Sequence, residues 1–233
     1  MMRKGVYTKV GYDKFLNAVK RAYRDSHNVV SRFREVAGRK VIRGRAHCVA
    51  GVIEDLLAQF LKGAIPKRCG DLVFFVDQPI IIDHARQPRY PDLLICRQIN
   101  NGYRLLYGAE LKANIGWHHG RLHEIVDEAF TLLGQIRGAK KISGKLYDQR
   151  DKHCVFKVGN KFKYDVIIAV APEGRGRELE NVKETWEHGH GQRTRVIALC
   201  EGEANEWYDK DAPARARYDM FDMLLSRVRK CIA

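Results

Sequence analysis

No apolar run in this 233-residue chain approaches the roughly 20 residues that a helical membrane span needs; the longest are short stretches such as Leu72 to Val76 and Val166 to Ala171. Acid is scarce relative to base, with 28 Asp and Glu against 42 Lys and Arg, which leaves a formal charge of +14. Cysteine is limited to six residues, none in a C-x-x-C pair, which argues against a disulfide framework and a zinc knuckle and for reduced, mostly buried thiols. There is no internal repeat and no low-complexity tract. Met1-Met2-Arg3-Lys4-Gly5 leads into a polar segment without an apolar h-region, so no secretory signal is expected and a cytoplasmic location is. What is present is a 45% hydrophobic composition, enough for one good core at a length that suits a single α/β domain.

The positive charge is concentrated. Residues 1 to 45 carry 13 Lys and Arg against Asp13, Asp25 and Glu35, a net of +10, and Arg137 to Lys163 carries nine against Asp148 and Asp151. Clustered cations of this kind suit a polyanion, because each phosphate neutralised releases condensed counterions. Nucleic acid is the first candidate partner, with Arg43 and Arg45 in the first segment and Lys140 and Lys141 in the second as expected contacts; charge alone does not separate DNA from RNA, or binding from cutting. The plain alternative is a solvated basic face that serves solubility.

Hydrophobic periodicity organises the rest. Phe15, Val19, Tyr23 and Val30 recur at helical spacing within a basic helix over Tyr12 to Phe33, and Val49, Ile53, Leu56, Leu57 and Phe60 mark a second helix from about Ala46 to Lys62. Leu72 to Val76, Ile80 to Ile82, Leu93 to Cys96 and Arg104 to Leu111 are short β-rich runs between turn residues. Leu122, Ile125, Val126, Ala129, Leu133 and Ile136 mark a helix that should pack on the sheet. Gly159-Asn160 reads as a hairpin turn before the buried strand Val166 to Ala171, another strand spans Arg195 to Cys200, and a last helix carries Tyr218, Phe221, Leu224, Leu225 and Val228. The expected class is α/β, a mixed sheet of about five strands flanked by helices. The expected organisation is one domain: a basic helical segment over 1–45, a core over 46–200 and a C-terminal helix over 201–233.

Chemistry concentrates on the central hairpin. Pro91-Asp92 opens one strand and Glu110-Leu111-Lys112 closes the next, and residues 110 and 112 share a face because side chains alternate with period two. Asp92 faces the same way if it pairs with Glu110, which asks for a three-residue loop, Asn100 to Gly102, with Gly102 left-handed. A two-residue Asn101-Gly102 loop would place Asp92 opposite Leu111 and split the carboxylates between faces, unless a bulge restored the alignment. Two carboxylates are hard oxygen donors of the kind that bind Mg²⁺ together with substrate phosphate. An adjacent ammonium suits an attacking water and the charge that grows on a phosphoryl transition state. Glu110-Leu111-Lys112 is the only acid-x-Lys triplet in the chain and Pro91-Asp92 the only Pro-Asp dipeptide.

Pro91-Asp92 and Glu110-Leu111-Lys112, preceded by a helix bearing Glu54 and followed by the helix from Arg121, resemble the PD-(D/E)XK nuclease superfamily over roughly residues 46 to 200. The resemblance implies a restriction-endonuclease-like fold in which Asp92, Glu110 and the Leu111 carbonyl hold Mg²⁺, Lys112 attends the nucleophilic water and Glu54 is an extra metal ligand or water holder. Size, motif spacing and the basic N-terminal helix look like a type II restriction endonuclease: a homodimer on palindromic DNA, leaving 5′-phosphate and 3′-hydroxyl ends, with a cognate methyltransferase for the same site. The alternatives are a repair, recombination or junction-resolving nuclease of that superfamily, and a non-catalytic basic DNA-binding module.

Other features have two readings each. His119 and His123 stand at i, i+4, and His118 and His119 follow Lys112 closely enough for phosphate contact, or are ordinary loop histidines. Arg175 and Arg177 could meet phosphates or guanine edges just after the strand ending at Ala171. His188 and His190 sit in a glycine-rich loop. Asp83 is a rival for the role of Asp92 on a different strand.

Overall fold

A computed structural model of the chain describes residues 9–32, 49–66, 69, 71–83, 85–114, 122–146, 152–171, 194–202 and 215–233. The elements run α1 (Lys9–Arg32), α2 (Ala50–Ala64), β1 (Leu72–Val76), β2 (Ile80–Ile82), β3 (Leu93–Ile99), β4 (Gly102–Asn114), α3 (Leu122–Gly138), β5 (Ile142–Leu146), β6 (Lys152–Ala171), β7 (Val196–Glu201), β8 (Arg215–Ala216) and α4 (Tyr218–Ile232). The architecture is α/β, with a mixed sheet flanked by helices. Among the described residues the sheet has eight strands rather than about five, in the order β1-β3-β4-β6-β5-β2, with β7 on β6 and β8 on β7. The surplus lies in β5, where Gly144 takes the middle inward position of the alternation, and in β8, which is only two residues long.

Alternation along β4 and its neighbours divides the apolar residues between two faces. On one face α1, α2 and α4 bury Phe15, Val19, Ile53, Leu57, Phe221 and Leu224 against Leu93, Ile95, Ala109 and Ile167. Tyr12 stacks on Phe221 with centroids 4.7 Å apart, so the basic helix α1 is anchored in the core by its apolar side. On the other face α3 buries Val126, Ala129, Leu133 and Ile136 against Leu94, Cys96, Tyr164 and Ile168.

Two strands depart from expectation. Gly159-Asn160 does not turn the chain: β6 continues through it and stays parallel to β4 on both sides, with residues 159–162 bulging between the Leu105–Val158 and Tyr107–Lys163 pairs. Pairing with β5, β4 and β7 outweighs the local turn preference. The β3–β4 loop has two residues, Asn100 and Asn101, because Ile99 pairs with Gly102; Gly102, at φ +132, is the first residue of β4. Only glycine fits there, since a Cβ would lie 2.2 Å from the Val155 carbonyl oxygen.

Candidate metal and phosphodiester site

Continued unbroken, the register of that two-residue loop would set Asp92 opposite Ala109 and turn it away from Glu110. The register shifts by one residue after the Cys96–Leu105 pair, so Ile95 meets Tyr107 and Leu93 meets Ala109. Leu106 is the extra residue, and it joins Tyr107 in the core on one face while Leu105 points to the other. The bulge therefore brings Asp92, the residue before β3, alongside Glu110 on the α3 face. The common face foreseen for the two acids is present, but a bulge creates it and not a three-residue turn.

β3 begins at Leu93 while β4 runs on to Asn114, so the β3-side edge of β4 beyond Glu110 lacks a ladder partner. Asp92 fills part of that gap: the Leu111 N–H donates to its Oδ2 at 2.5 Å. In an extended strand the N–H and C=O of one residue leave on the same edge, so the Leu111 carbonyl faces that edge too. Lys112 Nζ lies 2.8 Å from Glu110 Oε1, and the Tyr164 hydroxyl donates to Glu110 Oε2 at 3.2 Å. Gly108 makes room for the Tyr164 ring, which would be 2.6 Å from a Cβ at that position.

The charges do not balance. Burial pushes the Asp92 carboxyl up to about 7, and the Glu110 carboxylate pushes the same way, against the opposing pull of the Leu111 N–H and Lys112. Glu54 on α2 is also raised, by burial first and then by the Asp77, Asp55 and Glu110 charges. Lys112 is held above its ordinary value because Glu110 and Asp92 outweigh the cost of burying its charge. Excess negative charge in a partly buried cluster is what a divalent cation relieves. Among the described residues no group of three His, Cys, Asp or Glu side chains is arranged to hold a metal, and Glu54 bears on the acid pair through its charge. Asp92 and Glu110, with the Leu111 carbonyl beside them, are a donor set that fits Mg²⁺, which keeps waters and completes its shell with substrate phosphate.

A cleft of about 600 Å³ opens beside Glu110, between α3 and the turn bearing Arg89 and Tyr90. Glu124, Asp127 and Glu128 line its helix side, against Arg89 as the single cation among the described residues. Phosphate enters such a cleft only with its charge neutralised.

Two acids near the site were not anticipated. Asp77 follows β1 in a left-handed conformation, and its N–H donates to the Asp92 carbonyl at 3.1 Å; the signal was an Asp before Gln78-Pro79 at the end of an apolar run. Glu128 bears on Lys112 from α3 and stands on a polar helix face of ordinary appearance. Asp83 is no rival to Asp92: its Oδ1 accepts from the Lys140 and Lys141 N–H groups at 2.8 and 2.9 Å, securing the turn into β5. The Lys140 and Lys141 side chains are exposed. His123 is exposed on α3, whereas Arg43, Arg45, His118, His119, Arg175, Arg177, His188 and His190 lie outside the described residues.

Compared with family models, with curated proteins and with solved structures, the chain matches none significantly.

Proposed function

We propose that this protein is a Mg²⁺-dependent DNA endonuclease, with Asp92, Glu110 and Lys112 as its catalytic residues. The observation that carries the reading is the bulge at Leu106, which aligns Asp92 and Glu110 on one face beside Lys112 at the mouth of an acidic cleft. Asp92, Glu110 and the Leu111 carbonyl would hold the metal. Bound there, Mg²⁺ supplies Lewis-acid stabilisation of the charge that builds on the phosphoryl oxygens. Lys112, held to Glu110 at 2.8 Å, is placed to orient the attacking water and to favour its deprotonation. Tyr164 fixes the far oxygen of Glu110, so the carboxylate cannot swing away from the pair. Hydrolysis forms a bond from the water oxygen to phosphorus and breaks the bond to the 3′ oxygen, leaving 5′-phosphate and 3′-hydroxyl ends. The +10 charge of residues 1 to 45 and the exposed Lys140 and Lys141 support binding to duplex DNA. Within this reading the enzyme is of type II restriction kind, a homodimer on a short palindrome, paired with a methyltransferase for the same site.

The experiment is incubation of the protein with supercoiled plasmid and phage DNA, in Mg²⁺ or in EDTA, with end sequencing of the products. Discrete Mg²⁺-dependent fragments that share an end sequence are expected, and Glu110→Ala and Lys112→Ala should each lose at least 100-fold in cleavage while still binding DNA. Structure-dependent nicking would move the protein to the repair and recombination nucleases. Bound but intact DNA would remove the catalytic assignment and leave a DNA-binding module.

A further inference from the structure

The opposite end of the same sheet carries charge of the opposite sign. Arg97 on β3 pairs with Arg104 on β4, and Arg104 pairs with Lys157 on β6, so three cations stand in one row across three adjacent strands. Directly opposed residues share a face and lie within about 5.5 Å across an antiparallel pair. Like charges so placed repel, and the ladder gains nothing from them. The bulge at 159–162 adds Lys161, and together these residues line a pocket of about 360 Å³ whose base is formed by Leu106, Cys231 and Ile232. Among the described residues no acidic side chain lines it, and Ala233, which also lines it, makes no ion pair with the four cations. The Arg97 guanidinium is already anchored, its Nη2 donating to the Ile232 carbonyl at 2.7 Å and the Cys69 carbonyl at 3.4 Å. Arg104, Lys157 and Lys161 are exposed and take no acidic partner among the described residues.

From this arrangement we infer that Arg97, Arg104, Lys157 and Lys161 form a phosphoanion site distinct from the acid cluster. Arg104 is six residues from Glu110 along β4, about 20 Å at the rise of a strand, and on the other face of the sheet. One bound ligand phosphate therefore cannot serve both sites. Among the described residues the lining has no aromatic ring to stack a base, and its donors, the forks of two arginines and two ammonium groups, suit the phosphates themselves. A compact di- or polyphosphate fits these demands, and the phosphates of a nucleic acid share the chemistry.

Titration calorimetry of the full chain with pyrophosphate, and separately with a short DNA duplex, tests the site when sodium chloride holds ionic strength constant. Saturable pyrophosphate binding is expected, weakened at least tenfold in the Arg104→Gln, Lys157→Gln double variant. Because that variant also relieves the repulsion, its ligand-free melting temperature should equal or exceed that of the parent, which separates loss of the site from loss of the fold. Unchanged duplex affinity in the variant would identify a free phosphoanion as the ligand, and a parallel loss would identify nucleic-acid phosphate. Absence of saturable binding by either ligand, or equal affinities in parent and variant, would overturn the inference. Neither outcome depends on cleavage, so the proposed nuclease activity stands or falls separately.

Discussion

Two carboxylates sit one strand position apart on this sheet and are treated in opposite ways. Asp165 on β6 pairs with Ala109 and is fully buried on the α4 face, where four donors meet it: the Tyr107 hydroxyl at 3.0 Å, the Arg195 N–H at 2.9 Å, and Arg227 Nε and Nη2 at 2.8 and 2.6 Å. Asp92 on the α3 face receives one backbone N–H and faces Glu110 and Glu54. A buried carboxylate matched by guanidinium, hydroxyl and amide is a closed structural unit, and it ties α4 to β4, β6 and β7. A carboxylate left short of positive charge costs stability, a cost that the proposed divalent cation would remove. The satisfied acid belongs to the fold, and the proposed function assigns the unsatisfied one to the chemistry.

The comparison breaks most visibly if Asp165 is removed. Asp165→Ala should lower unfolding stability by about 3 to 5 kcal/mol, because the buried Arg227 guanidinium loses the carboxylate that balances its charge; denaturant unfolding measures it, and a loss under 1 kcal/mol would make the network dispensable. Gly108→Ala should cost about 1 to 3 kcal/mol by forcing Tyr164 out of its place and disturbing Glu110 with it, so cleavage should fall further than stability does. Retained cleavage in that variant would separate Tyr164 from the site.

Asp92 has the opposite sign. Its carboxyl is raised from 3.8 to about 7 on folding, so between these values the folded state holds a proton that the unfolded chain has released, and stability falls as pH rises through that window. Asp92→Asn should flatten the slope, leaving melting below pH 3.8 nearly unchanged and stabilising the protein at pH 8 by about 1 to 2 kcal/mol, a figure reduced for the partial exposure of the group. Cleavage should be lost in the same variant. A lower stability at pH 8 than the parent would mean that Asp92 is a structural acid like Asp165.

Much of this division was legible in the residues. Period-2 alternation placed Glu110 and Lys112 on one face, and the helices α2, α3 and α4 were marked by Ile53 and Leu57, Val126 and Leu133, and Phe221 and Leu224. The route to alignment was not legible. Leu105-Leu106-Tyr107 is apolar throughout, so nothing in composition says that Leu106 is the extra residue. Gly159-Asn160 carries a turn signal that strand pairing on both sides overrides, a tertiary effect that local reading does not contain. The Asp165 network escaped notice because it joins residues 58 and 62 positions apart, and neither Asp165 nor Arg227 carries a local motif.

The proposed function requires that Asp92 and Glu110 be short of positive charge until a divalent cation arrives. Its most direct measurement is the titration of the Asp92 carboxyl by carbon NMR, with and without Mg²⁺. A midpoint near 7 that falls by a unit or more on adding Mg²⁺ is expected. A midpoint near the ordinary carboxylate value, unmoved by Mg²⁺, would contradict it.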